Sequence, residues 1–290
     1  RSRGLGDVYK RQAFIVGSVI LGGIKRIGNV TGYLVPIMAT IYVFTAMFIV
    51  LNNFEKVGSS FNTIFSMAFN PPAQISGIGA GAVIAFLNTM MMGVKRGLFS
   101  SEAGQGSAAI AHSTAKTKYS VREGVVALLE PYIDTIIICT LTGLVIMVTD
   151  SWHLTEFYAT RIDPSISEDM WMNSSVLTSH AFAQGVPFGD KIVTLSVLLF
   201  AISTAIAWSF YGNRSAVFLF GEKSIKPYLW IYVIFVFIGA IAELETIWAF
   251  GDAALGIMTF PNLISIVLLT GSLKVMTKDY FAKESQDFKK

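Results

Sequence analysis

The chain has 290 residues, 53% of them hydrophobic and 14% charged, with a mean hydropathy of +0.59 and a net charge of +3. A soluble domain carries about 25% charge, so this sequence has too few charges to coat a water-facing surface and reads as a membrane protein. Its single cysteine, Cys139, excludes an internal disulfide framework and a zinc-ligand spacing.

The opening "RSRGLGDVYKRQ" has no apolar periodicity and stops abruptly at Ala13, where a hydrophobic segment is already under way. Residues 2–12 back-translate as a sequencing adapter read in frame, so residues 1–12 are set aside as a non-native scar. On that reading the chain is an N-terminally truncated fragment. A bilayer core of ~30 Å takes about 20 apolar residues per helix. Spans are predicted at about 13–24 (incomplete), 31–51, 75–111, 124–149, 192–211, 227–242 and 246–273. The third is too long for one straight crossing, and the last is interrupted by Pro261.

Basic residues in the links assign the sides. Lys25 and Arg26, then Lys116, Lys118 and Arg122, then Arg214, Lys223 and Lys226, and finally five lysines after Leu273 fall on one side under strict alternation. The link Asp150–Asp190, with six acids and one arginine, falls on the other. The C-terminus is therefore expected in the cytoplasm of a multi-pass protein of the cell membrane, and the acidic link outside.

Within the third span, "GVKRGLFSSEAGQGSAAIAH" (Gly93–His112) places four glycines in fourteen residues. Each weakens a helix by about 1 kcal/mol relative to alanine. Irregular backbone at membrane depth is tolerated where it is buried in protein or lines a cavity. Unwinding would free backbone groups for a carboxylate and a small cation. Ser100, Ser101, Gln105 and Ser107 add neutral ligating groups, with Glu102 among them. Close helix packing by small residues is the competing reading. A zwitterion with Na⁺ fits the inventory better.

"RGLFSSEAGQGSAAIAH" resembles the signature of the alanine/glycine:cation symporters, the sodium:alanine symporter family, whose usual form is close to RG-x-FSNEAG-x-GSAPIAH. "GGIKRIGNVTGYLVPIMATIY", "LLEPYIDTIIICTLTGLVI", "STAIAWSFYGNR" and "FPNLISIVLLTG" resemble it too, in order across 13–281. The resemblance implies an all-α polytopic membrane protein with the leucine-transporter-like inverted-repeat fold, here from the end of core helix 4 through core helix 10. It implies substrate contacts from Phe99, Ser100, Ser101 and Gly104 on the broken helix and from Thr204 and Trp208 on a later one. Ser203 with Thr204 resembles the hydroxyl pair that supplies a sodium site. This chain has Ser101 where the family usually has Asn, and Ala109 where it usually has Pro. The implied activity is sodium-coupled import of alanine or glycine by alternating access. Na⁺ would be the coupling ion, with no cofactor and no nucleic-acid partner.

Other polar residues in the spans have their own readings. Glu130 and Asp134 share a helix face and are expected to pair with cations such as Lys95 and Arg96, or to couple ion movement. Pro131 between them marks a kink. Asp252, Pro261 and Asn262 suggest a second break. "GIGAGA" (77–82) lacks the strand and ribose-binding acid of a nucleotide loop. No histidine spacing points to a metal site. A cation channel, a carrier of another zwitterion and proton coupling stand as alternatives. An intramembrane enzyme does not, since no nucleophile–base pairing is visible.

Overall fold

The computed structural model describes residues 16–20, 24–69, 80–155, 158, 163, 165–167, 170, 172 and 174–287. The leader and the start at Ala13 lie outside them, as does the first half of the "GIGAGA" run, residues 77–79. Every regular element among the described residues is helical: α1 (Ile24–Asn52), α2 (Phe54–Phe69), α3 (Ala80–Ser101), α4 (Ser107–His112), α5 (Ser120–Val148), α6 (Ser174–Gly185), α7 (Gly189–Phe220), α8 (Ile225–Ile241) and α9 (Leu244–Asp287). Five stretches are long and apolar enough to cross a membrane: Gly32–Asn52, Ser120–Val148, Gly189–Phe220, Glu222–Ile241 and Thr246–Lys283. They match five of the seven expected spans. Large apolar side chains remain exposed along α8 and α9, among them Phe235, Ile241, Val267 and Leu268. Helices apolar on every side belong in surroundings other than water.

Two compact units divide the chain. One comprises residues 25–96 and 135–206, the other residues 1–24, 97–134 and 207–290. The chain passes from one to the other at the start of α1 and within α3, α5 and α7.

The first unit is built around an apolar core. Tyr42, Ala46, Ile49 and Val50 of α1 meet Leu144, Val145 and Val148 of α5, Ala181 and Phe182 of α6, and Val193 of α7. The Tyr42 and Phe182 rings lie 5.0 Å apart, and the Tyr42 hydroxyl bonds the Thr142 hydroxyl at 2.7 Å. At the C-terminal end of α5, Lys56 Nζ donates to the Val148 carbonyl (3.2 Å) and to Asp150 (3.1 Å). A cation there satisfies a terminal carbonyl and complements the helix dipole. The polar connection expected after Leu51 contains α2, which packs against the C-terminal half of α5 with Val57 against the core.

In the second unit α9 runs without interruption from Leu244 through Pro261 to Asp287, so the second break expected at Asp252–Asn262 does not form. Pro261 has no N–H to offer the Ile257 carbonyl, and a 44-residue helix continues past that one lost bond. The nearby Thr259 and Ser265 hydroxyls bond other carbonyls, Leu255 O (2.7 Å) and Pro261 O (2.9 Å). In α5 the kink expected at Pro131 takes another form, a π-helical stretch over Tyr132–Cys139. Inserting wider turns after a proline is a recognised way to relieve its clash.

Candidate functional site

The break predicted in the third span is present. Helix α3 ends at Ser101 and α4 begins at Ser107, with Glu102–Gly106 non-helical between them. Three of these five residues have left-handed backbone: Glu102 (φ 53°), Gly104 (φ 74°) and Gly106 (φ 91°). An L-residue there costs about 1–2 kcal/mol, which glycine avoids. The two glycines therefore permit the turn, and Glu102 bears the strain.

Side chains satisfy much of the freed backbone. The Ser101 hydroxyl donates to Gly97 O (2.9 Å) and accepts the Ala103 N–H (3.4 Å). Gln105 Nε2 donates to Leu98 O at 2.8 Å, and its backbone N–H to Glu102 O at 3.2 Å. From α9, Asn262 Nδ2 donates to Gly104 O at 2.9 Å. From α7, Trp208 Nε1–H donates to Glu102 Oε1 at 2.9 Å. Three oxygens stay without a partner although buried: Glu102 Oε2, Gln105 Oε1 and Ser107 Oγ. An unsatisfied buried polar group costs about 1–3 kcal/mol, and in native proteins it marks a bound water, an ion or a functional role.

The residues singled out from the sequence fall into two groups. Phe99, Ser100, Ser101, Gly104 and Trp208 belong to the second unit. Phe99 is 39% exposed, its ring 5.2 Å from that of Trp248. Ser100 is exposed, whereas Ser101 is 5% exposed with its hydroxyl engaged in ending α3. Ser203 and Thr204 belong to the first unit, on the same continuous helix as Trp208. Ser203 is buried and donates to Phe200 O at 2.9 Å, and Thr204 is exposed.

Sequence reasoning missed Trp248 and the bonds Trp208–Glu102 and Asn262–Gly104. Their partners are 106 and 158 residues apart, so no local spacing could reveal them. The intramembrane acid Glu130 has a partner other than the cations expected for it, namely His112. His112 Nδ1 lies 2.7 Å from Glu123 and Nε2 lies 3.4 Å from Glu130. The hydrogen bond with Glu123 is the main reason that the imidazole's pKa is raised above its ordinary value. This cluster ties the end of α4 to the first turns of α5.

A broken helix with a strained acid and three unpartnered oxygens suits a small cation or a polar solute. The family model described as the sodium:alanine symporter family matches residues 11–290. The sodium/alanine symporter AgcS of Methanococcus maripaludis is 38% identical over 92% of this chain and 55% of its own length. An uncharacterized transporter of Haemophilus influenzae is likewise 38% identical, over 93% of the chain and 56% of its own. A sodium/proton-dependent alanine carrier protein of Bacillus sp. PS3 is 31% identical over 92% and 59%. The chain thus spans somewhat more than half the length of these curated relatives. With a match along nearly all of its residues, the chain belongs to the sodium:alanine symporter family.

Proposed function

We propose that this chain works in sodium-coupled symport of a small neutral amino acid, alanine or glycine, into the cell. The observation that carries the reading is the interrupted helix at Glu102–Gly106, with its freed backbone and unpartnered oxygens, in a chain of this family. Inward movement of Na⁺ supplies about 2.3 kcal/mol per charge per 100 mV of membrane potential. In the inverted-repeat fold, alternating access rocks one helix group against another around a fixed site. The C-terminus and the basic links face the cytoplasm, as the loop charges require.

Phe99, Ser100, Ser101 and Gly104 contribute to the amino-acid site from the broken helix. Thr204 and Trp208, four residues apart on one helix face, contribute a hydroxyl and an aromatic wall. Ser203 and Thr204 supply oxygens to Na⁺. A further relative, a probable sodium/glutamine symporter of Bacillus subtilis at 30% identity, keeps a larger amide side chain open as a second substrate reading. The shorter Ser101, where the family usually has Asn, bears on the same choice.

Counterflow of labelled alanine in proteoliposomes tests the carrier reading, because a carrier exchanges without net flux and a channel does not. Trp208→Ala is expected to weaken alanine uptake roughly tenfold or to admit bulkier amino acids, by loss of one charge-assisted hydrogen bond and the wall. Ser203→Ala or Thr204→Ala is expected to raise the half-saturating Na⁺ concentration. Unchanged uptake, selectivity and sodium dependence in all three would remove the site assignment.

A further inference from the structure

We propose that the helix break holds a cation subsite of its own, in which Glu102 Oε2, Gln105 Oε1 and Ser107 Oγ bind Na⁺. It rests on the sodium-coupled reading and adds an ion position separate from the Ser203 and Thr204 hydroxyls.

Burial comes first. Gln105 is 3% and Ser107 1% exposed, and each carries an oxygen with no partner. Water does not reach these atoms from outside, so whatever satisfies them is bound. The second point is that the same side chains are pinned at their other ends. Trp208 Nε1–H holds Glu102 Oε1, and Leu98 O holds Gln105 Nε2. The latter bond fixes the amide orientation, since a flipped amide would set two oxygens against each other. What remains free in each case is an acceptor held in place. The Ser107 hydroxyl lies close enough to the Glu102 carboxyl group to donate to it, and a hydroxyl that donates keeps its oxygen lone pairs for a cation.

Charge narrows the occupant. The donors that reach the break, from Trp208 and Asn262, are neutral, and a carboxylate at membrane depth is costly unless its charge is balanced. A bound water satisfies an oxygen without balancing charge, and a monovalent cation does both. Among the described residues no group of three or more His, Cys, Asp or Glu offers a divalent site, so one carboxylate with two neutral oxygens suits a singly charged ion. Glu102 also carries the strained φ of 53°. Its two oxygens therefore link the ion to Trp208, the aromatic wall of the proposed amino-acid site.

The test is equilibrium binding of radiolabelled Na⁺ to the intact protein in nanodiscs, with alanine binding measured in parallel. Glu102→Gln is expected to lose one bound Na⁺ per molecule. Ser107→Ala, which alters one hydroxyl and keeps the fold if Glu102→Gln does not, is expected to raise the half-saturating Na⁺ concentration roughly tenfold. Sodium binding that is the same in Ser107→Ala and in the unsubstituted protein would overturn the subsite while leaving sodium-coupled alanine uptake standing. Proton uptake lost in Glu102→Gln, with Na⁺ binding unchanged, would overturn it by giving the carboxyl a proton instead. No Na⁺ binding by the unsubstituted protein would overturn both the subsite and the coupled-transport reading.

Discussion

The two compact units differ in whether their buried polar groups find partners. In the one built from residues 25–96 and 135–206, the apolar interior is Tyr42, Ile49, Val145, Phe182 and their neighbours. Tyr42 and Thr142 bond each other, and the buried Ser60 and Ser203 hydroxyls bond backbone carbonyls. In the other, the buried residues at the helix break are Ser101, Gln105 and Ser107, and two of these three keep an unpartnered oxygen. A satisfied apolar core stabilises and has nothing left to offer a ligand. A polar interior with spare acceptors costs stability and is kept for what it binds. The contrast places the unpartnered acceptors in the second unit, while the Ser203 and Thr204 hydroxyls of the proposed site lie in the first.

The largest expected effect comes from attacking the scaffold. Phe182 is fully buried and packs on Tyr42, and truncating such a residue costs about 3–5 kcal/mol through lost contacts and the cavity left behind. Phe182→Ala is therefore expected to lower the thermal midpoint in detergent well below that of the unsubstituted protein. A midpoint that did not move would show that this core is not where stability resides.

A substitution at the break should behave in the reverse manner. At Gly106, φ is 91° and an added Cβ would lie 3.2 Å from the Asn262 side chain. Gly106→Ala then incurs about 1–2 kcal/mol of backbone strain and presses on the residue that holds Gly104 O. The expected outcome is a modest fall in midpoint with a disproportionate loss of Na⁺ and alanine binding. A loss of stability matching that of Phe182→Ala, with binding retained in the folded fraction, would erase the distinction between the regions.

How far the sequence could see follows the same division. Apolar length is a local property, so the five membrane-length helices were readable from composition. So was the break, because Gly93, Gly97, Gly104 and Gly106 crowd one short stretch. Helix α2 was not, since its sixteen residues mix Glu55, Lys56 and Asn62 with phenylalanines and look like a polar link when scored for hydropathy alone. The continuity of α9 is not legible because Pro261 announces a lost donor, while a long helix can continue past one missing bond. Asn262, expected to help break α9, instead serves the break in another helix. Contacts that complete the site, Trp208 to Glu102 among them, are made by folding and are written in no local pattern.

The smallest expected effect concerns the hinge between α4 and α5, and its sign can be worked out. His112 sits between Glu123 and Glu130 at 2.7 and 3.4 Å, and a protonated imidazole donates to both. Its pKa is raised in the folded protein, chiefly by the bond to Glu123. The stabilisation is then fully present below the ordinary histidine value of about 6.5 and is lost as pH rises through the raised, folded value. Partial exposure of the cluster screens it, and such pairs contribute about 1 kcal/mol or less. The thermal midpoint should thus fall slightly as pH is raised from about 6 to about 9, and His112→Gln, which can donate but does not titrate there, should flatten that dependence. An equal slope in both proteins would show that the cluster does not clamp α4. A steeper slope for Na⁺ binding than for stability would instead bring the hinge into the same functional region as the break.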